Sequence, residues 1–229
     1  MNNLVVIIPV SSFNTSKTRL SPFLSEDERK NLLKCMLKDI VKNITGVVEE
    51  IIITSKDSEV LDFGCDLNLT TFMEHEHSGN YLNCALLDCI NFAKCEFEYC
   101  DIVIVPADIP LITRSNIEYI KDHDVYDFII APSRGGGTNM LYFKGKYDFI
   151  PKFGEFSFFK HIDEAEDLGC RVNVYDSFFL SLDINTPQDL GELLLHGKLT
   201  DTYMYLKKLG VNVLNNHGKE RLYVFREDW

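Results

Sequence analysis

Two carboxylates in the chain follow short apolar runs, at positions where a metal ion or a phosphate group can be held. Asp108 lies in the segment Asp101–Leu111, where a β-branched apolar run stops at Pro106. Such a run is typical of a strand buried on both faces of a parallel sheet, and open α/β sheets bind ligands at the carboxyl ends of their strands. Asp108 is therefore a candidate Mg²⁺ ligand. The alternative is a turn residue that caps local backbone amides.

Asp183 repeats this pattern later in the chain. It follows the apolar stretch Phe179–Leu182, which we predict to be a strand, and it precedes a helix with Thr186 as N-cap and Pro187 at the first position. If this strand neighbours that of Asp108, the two carboxylates can share one Mg²⁺. That ion prefers few carboxylates together with phosphate oxygens.

The loop at residues 11–20, after the first predicted strand, carries several hydroxyls, an amide and two cations. Its side chains and backbone amides can converge on phosphate oxygens. The loop lacks the G-x-x-x-x-G-K of a Walker loop and the glycines of a dinucleotide fingerprint. We predict a polyphosphate cradle, with solvated loop charges as the alternative. The predicted nucleotide-binding residues of this region are Pro9, Val10, Ser11, Lys17 and Arg19.

A second nucleotide contact is predicted where a helix begins after Ser78. Gly79 and Asn80 can approach a planar base closely, and Asn80 or Asn83 can read its edge through paired donors and acceptors. N-capping of the helix is the alternative. The preceding His75 and His77 share one face of an extended segment, but no third ligand is near, which argues against a metal site.

Three consecutive glycines at residues 135–137 form the most unusual local chemistry in the chain. Glycines lose much chain entropy on ordering, so a fold keeps them where the backbone bends sharply or touches a ligand. Because Arg134, Thr138 and Asn139 flank them, we predict a second anion pocket, with a flexible hairpin loop as the alternative.

Gly154 and Ser157 precede another predicted helix, with Ser157 as its N-cap. A helix N-terminus with a glycine before it offers free amides to a carboxylate or phosphate. His161 lies one turn further along, and a lone histidine is more often structural than catalytic.

These residues require a scaffold in which strands and helices alternate. Predicted strands at residues 4–10, 50–54, 69–73, 127–131 and 171–175 alternate with predicted helices, and a further strand at 140–143 follows the glycine-rich loop. The first of these helices is predicted to begin with a capping box of Ser25 and Glu28. The pattern predicts a three-layer αβα fold of the α/β class, with a mostly parallel, Rossmann-like sheet. We expect one domain over residues 1–229, with a core at 1–199 and a C-terminal helix and tail at 200–229. A homodimer contact is one role open to that tail.

Composition narrows the classes of partner. With 229 residues, 45% of them hydrophobic, the chain can bury one sizeable core. A net charge of −12 argues against nucleic acid or an anionic membrane as partner. The apolar run Leu4–Ile8 is too short to span a bilayer, so we expect a cytoplasmic protein. The seven cysteines form no C-x-x-C pair, so free thiols are expected, with an iron-sulfur site as the alternative.

With these residues assembled, the chain resembles the 2-phospho-L-lactate guanylyltransferase family, which contributes to coenzyme F(420) biosynthesis in methanogenic archaea. The resemblance spans nearly the whole chain. It rests on Ile8-Pro9-Val10, Lys17-Thr18-Arg19-Leu20-Ser21-Pro22, Ala107-Asp108-Ile109-Pro110, Pro132-Ser133 with Gly135-Gly136-Gly137-Thr138-Asn139, and Asp183 with Thr186-Pro187 and Asp189.

The resemblance implies a GT-A-like nucleotidyltransferase fold and a Mg²⁺-dependent reaction of GTP with a phosphorylated three-carbon acid. The products would be lactyl-2-diphospho-5'-guanosine and pyrophosphate. It places Lys17 and Arg19 on the GTP phosphates and Asp108 on the metal, and it matches Thr138, Gly154 and Ser157 to acceptor-contacting positions. At Asp108 the chain has D-x-P rather than D-x-D, so Asp183 as the second metal ligand is inferred from topology.

The sequence does not determine which phosphorylated acid is the acceptor or which base the nucleotide carries. Relatives of this family also use phosphoenolpyruvate or 3-phosphoglycerate as the acceptor. A nucleotidyltransferase acting on a sugar phosphate or a molybdopterin is an alternative enzyme, although such enzymes usually carry a glycine-rich first loop. A non-catalytic nucleotide-binding protein is the alternative outside enzymes.

Overall fold

The computed structural model describes residues 3–215 and 222–227. The strands are β1 (Asn3–Pro9), β2 (Glu50–Ser55), β3 (Thr70–Met73), β4 (Cys100–Ile104), β5 (Phe128–Pro132), β6 (Thr138–Phe143), β7 (Val172–Val174), β8 (Val211–Asn215) and β9 (Leu222–Arg226). The helices are α1 (Glu26–Ile44), α2 (Ser58–Asp66), α3 (Tyr81–Glu96), α4 (Arg114–Asp122), α5 (Ser157–Asp167), α6 (Phe178–Ser181), α7 (Pro187–His196) and α8 (Asp201–Lys208). A 3-10 turn covers Thr18–Leu20.

The strands β1 to β7 form one sheet in the order β3-β2-β1-β4-β6-β5-β7. Neighbouring strands run parallel except where β6 pairs with β4 and β5. The chain builds outward from β1 in one direction through β2 and β3, and then continues on the other side with β4. This reversal creates a crevice at the carboxyl ends of β1 and β4, where ligands bind in folds of this kind.

Apolar side chains cover both faces of the sheet, because successive residues of a buried strand point to opposite faces. In β1, Val6 packs into the layer that contains Met36 of α1, whereas Ile7 packs into the layer that contains Leu86 of α3. The predicted three-layer αβα fold with a mostly parallel sheet is confirmed.

Two predicted helix starts are confirmed in their details. Ser25 caps α1, with its hydroxyl accepting from the Glu28 amide and its own amide donating to the Glu28 carboxylate. Thr186 is the N-cap of α7 and Pro187 is the first helical residue. These caps satisfy backbone donors that a helix start otherwise leaves without partners.

Two local predictions are wrong. The stretch Phe179–Leu182 is not a strand, because Phe178–Ser181 forms the short helix α6. Leu180 and Leu182 are both fully buried, and a short apolar run does not distinguish a strand from a buried turn of helix. Ser157 is not an N-cap but the first residue of α5, and the N-cap is Phe156 in a left-handed conformation with φ of 50°.

The C-terminal segment forms more regular structure than the predicted helix and tail. α8 packs on α1, and β8 and β9 pair as an antiparallel hairpin that packs on α7. Arg226 of β9 makes a bidentate ion pair with Glu28 of α1, at 2.8 and 3.0 Å. The tail residues at 216–221 and 228–229 lie outside the described residues.

Two sequence-level expectations concern the chain as a whole. All seven cysteines are free, as predicted. Across residues 3–215 and 222–227, no helix is both long enough and apolar enough to cross a membrane.

We predict that Asp39→Ala destabilises the fold. Asp39 of α1 is 2% exposed and accepts hydrogen bonds from the amides of Asp201 and Thr202 and from the Thr202 hydroxyl, at the start of α8. Truncation would leave two buried donors of Thr202 and the Asp201 amide unpaired, so urea titration should show a loss of about 2–4 kcal/mol in the free energy of unfolding. The exposed Asp62→Ala should change it by less than about 0.5 kcal/mol. Equal losses in the two variants would contradict this role.

Candidate active site

A cleft of about 750 Å³ opens where the strands β1 to β4 end at the carboxyl edge of the sheet. Six of the predicted ligand residues line it, namely Pro9, Val10, Ser11, Lys17, Arg19 and Asp108. Their positions follow from topology, since the loop after β1 and the loop after β4 meet where the strand order reverses. The cleft is therefore the candidate site for the predicted chemistry.

An ion pair between Lys17 and Asp108 crosses the floor of the crevice. The Lys17 ammonium lies 2.5 Å from the Asp108 carboxylate, and their side chains are only 8% and 21% exposed. Removing two charges from water is costly unless each is paired, so this contact fixes the two loops against each other. The pair places one cation and one carboxylate side by side at the point where β1 and β4 end.

The backbone of the loop explains how Lys17 reaches this position. Lys17 has a left-handed conformation, with φ of 57°, immediately before the 3-10 turn. A residue other than glycine rarely adopts this conformation, and strain of this kind is typical of functional sites. Phe13 and Leu20 are fully buried on either side, so packing holds the loop in place. The Arg29 guanidinium of α1 also donates to the Ser16 carbonyl at 3.4 Å.

A chain of side-chain contacts continues from this ion pair to the second carboxylate. The Lys17 ammonium also donates to the Asn185 amide oxygen at 3.1 Å, and the Asn185 amide nitrogen donates to Asp183. Asp183 follows α6 in a loop rather than a strand, but the Ile184 amide donates to the Asp108 carbonyl at 2.9 Å. The segment after α6 therefore lies beside the end of β4, as the sequence argument required.

The two carboxylates influence each other electrostatically. Burial and then the negative charge of Asp108 raise the pKa of Asp183 above its usual value. A cation between two such carboxylates would relieve this repulsion. Across the described residues there is no cluster of three or more His, Cys, Asp or Glu side chains suited to a metal ion. Two carboxylates with a polyphosphate nonetheless match the ligand set of Mg²⁺.

The two arginines of the predicted site have different surroundings. Arg19 lines the cleft and makes no hydrogen bond or ion pair with any other residue that the structure describes. Arg134 lies over the ring of Phe178, with 5.4 Å between guanidinium and ring centre, and 3.9 Å from the Glu192 carboxylate. Arg19 is therefore available to an anion in the cleft, whereas Arg134 is held near α6 and α7.

The predicted base-contacting residues lie at the start of α3, beside the cleft. Asn80 is the N-cap of α3 but makes no side-chain capping bond, and Gly79 has φ of 93°. The Asn83 amide donates to the Phe153 carbonyl at 3.0 Å and accepts from the Phe153 amide at 2.7 Å. Because both of its polar groups are used, Asn83 fixes the segment around Phe153, which itself lines the cleft.

The predicted acceptor residues Thr138 and Ser157 lie in a buried polar cluster around His161. The Lys152 amide donates to His161 Nε2 at 2.8 Å, so the ring proton is on Nδ1 and points to the Thr138 hydroxyl at 2.9 Å. The Ser157 hydroxyl also donates to Thr138, at 3.1 Å. The Thr138 oxygen accepts both bonds, which leaves its own proton for a further acceptor.

Asn139, which adjoins Thr138 in β6, contacts Asp183. It is 4% exposed and donates to the Leu180 carbonyl at 2.7 Å, and to Asp183 at 3.4 Å. Asn139 follows Thr138 in β6, so the side chains of the two residues point to opposite faces of the sheet. The hydroxyl cluster and Asp183 therefore contact consecutive residues of β6, on opposite faces of the sheet.

The glycine-rich segment connects β5 and β6 in a tight loop. A side chain at Gly137 would meet the Ser133 hydroxyl at 2.9 Å, and Gly136 has φ of 79° and packs against the Phe156 ring. The Phe158 amide donates to the Gly136 carbonyl at 3.3 Å. Gly154 has φ of 129° and is exposed before α5. The glycines therefore allow the loop to approach the N-terminus of α5, where the predicted acceptor residues lie.

Several cleft residues were not found from the sequence. Asn185 adjoins the Asp183 motif, but its contact with Lys17 spans 168 positions and has no sequence signal. Lys56, Glu74 and Tyr81 also line the cleft, at the ends of β2 and β3 and the start of α3. The rule that strand ends carry ligands would have found Lys56 and Glu74 if applied to every strand.

The histidines beside Glu74 bind a side chain of α3. His75 Nδ1 and His77 Nε2 lie 3.0 and 2.9 Å from the same oxygen of Asp88. These contacts fasten the segment after β3 to α3.

Comparison with known proteins gives a full-length match. A family model described as "Guanylyl transferase CofC like" matches residues 4–227. A 2-phospho-L-lactate guanylyltransferase of Methanosphaera stadtmanae is 57% identical over 229 residues, covering all of both chains. The enzyme of the same name from Methanocaldococcus jannaschii is 48% identical over 222 residues, covering 96% of each chain.

Solved structures agree on the fold. A Desulfovibrio desulfuricans protein assigned to the nucleotide-diphospho-sugar transferases has a TM-score of 0.74 at 17% identity, covering 91% of this chain and 95% of that one. A nucleotidyl transferase of Methanothermobacter has a TM-score of 0.60 at 14% identity, covering 91% of this chain and 100% of that one.

We predict that His161 makes stability depend on pH. Burial, with Lys152 and Lys160 nearby, lowers the pKa of His161 to about 3, whereas the unfolded chain binds that proton near pH 6.5. The unfolded state therefore binds more protons at acidic pH, and stability falls as the pH drops from about 7 towards 4. This one group contributes at most about 1.4 kcal/mol per pH unit.

Urea titrations at several pH values test this effect. His161→Asn and His161→Gln each keep one of the two ring contacts and should flatten this part of the pH dependence. His75→Gln, at a side chain 70% exposed, should retain the wild-type slope. A wild-type slope in both His161 variants would contradict the assignment of a buried neutral imidazole.

Proposed function

Because the chain belongs to the family of CofC-like guanylyl transferases, we propose that it transfers GMP from GTP to the phosphate of 2-phospho-L-lactate. The products are lactyl-2-diphospho-5'-guanosine and pyrophosphate, in coenzyme F(420) biosynthesis. The observation that carries the proposal is the end-to-end similarity to enzymes of this name, at 57% identity over 229 residues. The cleft supports it, because its cations and carboxylates suit a reaction between two phosphorylated substrates.

The reaction needs positioning more than proton transfer. A phosphate oxygen of the acceptor attacks the α-phosphorus of GTP, the bond from that phosphorus to the bridging oxygen breaks, and pyrophosphate leaves. The acceptor phosphate is already an anion near neutral pH, so no general base is required. The protein must align the two anions and neutralise their charge, which is the usual basis of phosphoryl-group transfer.

Lys17 and Arg19 are assigned to the triphosphate. The Lys17 ammonium is held at the crevice by Asp108 and Asn185, so it is already oriented when the nucleotide arrives. Arg19, which lines the same cleft, is the cation for the leaving pyrophosphate. Fixed donors of this kind stabilise developing charge without reorganising during the reaction.

Asp108 and Asp183 are the residues that would hold a divalent cation, Mg²⁺ by preference. The raised pKa of Asp183, caused by burial and by the charge of Asp108, marks two carboxylates that repel each other. Bound there with phosphate oxygens, the ion would act as a Lewis acid on the α-phosphate and neutralise charge. Asn139 and Asn185 would orient the Asp183 carboxylate through the hydrogen bonds they donate to it.

The acceptor is assigned to the segment that joins β6 to the start of α5. The proton on the Thr138 hydroxyl and the backbone at Gly154 offer donors to a carboxylate or phosphate, with Arg134 as a nearby cation. Ser157 would contact the acceptor by turning its hydroxyl from Thr138 to the ligand. The two ring nitrogens of His161 are hydrogen-bonded to the Thr138 hydroxyl and the Lys152 amide, which fixes the positions of these groups. Asn139 adjoins Thr138 in β6 and donates to Asp183, so two consecutive residues of one strand would link the acceptor groups to the carboxylate pair.

Pyrophosphate release by the purified protein tests the reaction. Each of the four nucleoside triphosphates is supplied with Mg²⁺ and one of phospholactate, phosphoenolpyruvate, 3-phosphoglycerate or a sugar 1-phosphate. We expect release with GTP and phospholactate, with the product mass identified by mass spectrometry. Release with another of these acceptors would correct the substrate, and no release with any pair would overturn the transferase assignment.

We predict that Asp108→Asn folds but turns over at least about 100-fold more slowly, because it loses charge at the site where the phosphates react. The change keeps the size of the side chain and is measured as kcat for pyrophosphate release, with circular dichroism as the folding check. Asp176→Asn, at an exposed position, is the matched control and should retain wild-type turnover. A folded Asp108→Asn variant with near-wild-type kcat would remove Asp108 from the reaction centre.

A further inference from the structure

The far end of the cleft carries a second set of charged side chains, at the ends of β2 and β3. Lys56 directly follows β2, and Glu74 directly follows β3. Both line the same cleft as Lys17 and Asp108, together with Tyr81 of α3. The reaction described above gives none of these three residues a role.

The length of the cleft indicates which part of the nucleotide lies there. The sheet order β3-β2-β1-β4 puts three strand spacings between the end of β4 and the end of β3. At about 4.8 Å per spacing this is roughly 14 Å, which is comparable to the length of an extended nucleoside triphosphate. With the phosphates at Lys17 and Asp108, the base reaches the ends of β2 and β3.

Glu74 is fixed in position at this end. The Thr54 hydroxyl donates to its carboxylate at 3.2 Å, and its amide donates to the Ser55 carbonyl at 3.0 Å. Burial raises the pKa of Glu74 above its usual value. An ionised carboxylate has about four lone-pair positions, so the Thr54 and Tyr81 hydroxyls leave about half of its accepting capacity for a ligand.

Tyr81 and Lys56 complete the wall. The Lys56 ammonium lies over the Tyr81 ring, 5.0 Å from its centre. The Tyr81 hydroxyl is buried, and it faces the Glu74 carboxylate as a hydrogen-bond donor. Burial and the negative charge of Glu74 raise the pKa of Tyr81 to about 12, so the hydroxyl stays protonated as a donor. His75 and His77 hold the segment after Glu74 to Asp88.

These groups match guanine better than the other bases. Guanine presents two donors side by side, N1–H and the 2-amino group, and one carboxylate can accept from both. Its O6 and N7 are acceptors that suit the Lys56 ammonium. Adenine and cytosine place a ring-nitrogen acceptor where guanine has N1–H, and a carboxylate repels it. Uracil offers only one donor.

We propose that Glu74 reads the N1–H and 2-amino group of guanine, with Lys56 on its O6 and N7 side, and so makes the cleft select GTP. This assignment rests on the proposed guanylyl transfer, and it adds the residues that choose the base. A carboxylate at a strand end can instead accept from the ribose hydroxyls, and the test separates these two roles.

The test measures dissociation constants for GTP, ITP, dGTP and ATP by calorimetry, with Mg²⁺ and without acceptor. ITP lacks only the 2-amino group, and dGTP lacks only the 2'-hydroxyl. Wild-type protein should bind GTP roughly 10-fold or more tightly than ITP. In Glu74→Gln the ratio of the ITP dissociation constant to the GTP dissociation constant (the GTP to ITP ratio) should fall to about 1 or below, because the new amide donor faces the 2-amino group. The ratio of the dGTP dissociation constant to the GTP dissociation constant (the GTP to dGTP ratio) should stay at its wild-type value.

Glu76→Gln is the matched control, since Glu76 is two positions away and exposed. It should keep the wild-type preference for GTP over ITP. An unchanged GTP to ITP ratio in Glu74→Gln would overturn the proposal, and so would a collapse of the GTP to dGTP ratio, which would assign Glu74 to the ribose. Wild-type protein with no preference for GTP would overturn it as well.

Failure of the guanine-reading proposal can be distinguished from failure of the proposed GMP transfer. Pyrophosphate release with phosphorylated acids is measured separately and tests only the transfer. If the GTP to ITP ratio collapses in Glu74→Gln but no acceptor gives pyrophosphate, the guanine subsite stands and the transfer reaction fails. If transfer occurs and the ratio is unchanged, the reaction stands and the subsite fails.

Discussion

The ion pair between Lys17 and Asp108 is the contact on which the candidate site depends. It joins the loop after β1 to the loop after β4 across the reversal of strand order. Both side chains are largely removed from water, so loss of one partner would leave the other as an uncompensated charge. The strained backbone of Lys17 is tolerated because Phe13 and Leu20 anchor the loop in the core. The site is thus organised by the fold before any substrate binds.

Helices and strands were predicted correctly where a short sequence pattern has only one common structural outcome. Capping residues at Ser25 and Thr186, and the apolar runs of the parallel strands, gave correct elements, because those patterns have few physical alternatives. The run Phe179–Leu182 failed because a buried turn of helix and a buried strand look alike over four residues. The pair β8 and β9 was missed because its short strands gain stability by packing on α7, which is a tertiary effect.

The residues of the candidate active site were also predicted only where a sequence pattern marks them. Lys17, Arg19 and Asp108 were placed in the cleft from one general rule, that ligands bind at the carboxyl ends of parallel strands. Asn185 was not found, because a contact across 168 positions is created by the fold alone. Thr138 and Ser157 were predicted to contact a ligand, but their hydroxyls also bond within a cluster around His161. Sequence reasoning could not show that this histidine is a buried neutral support.

Charge explains why these particular contacts are needed together. The chain carries a net charge of −12, so its overall field repels both a nucleoside triphosphate and a phosphorylated acid. In the proposed reaction, binding would depend on local cations at Lys17, Arg19 and Lys56, which all line the cleft. Asp108 and Asp183 add negative charge to the same region, which the proposed divalent cation would balance. Without that ion, the two carboxylates would oppose the phosphates that the lysines and Arg19 attract.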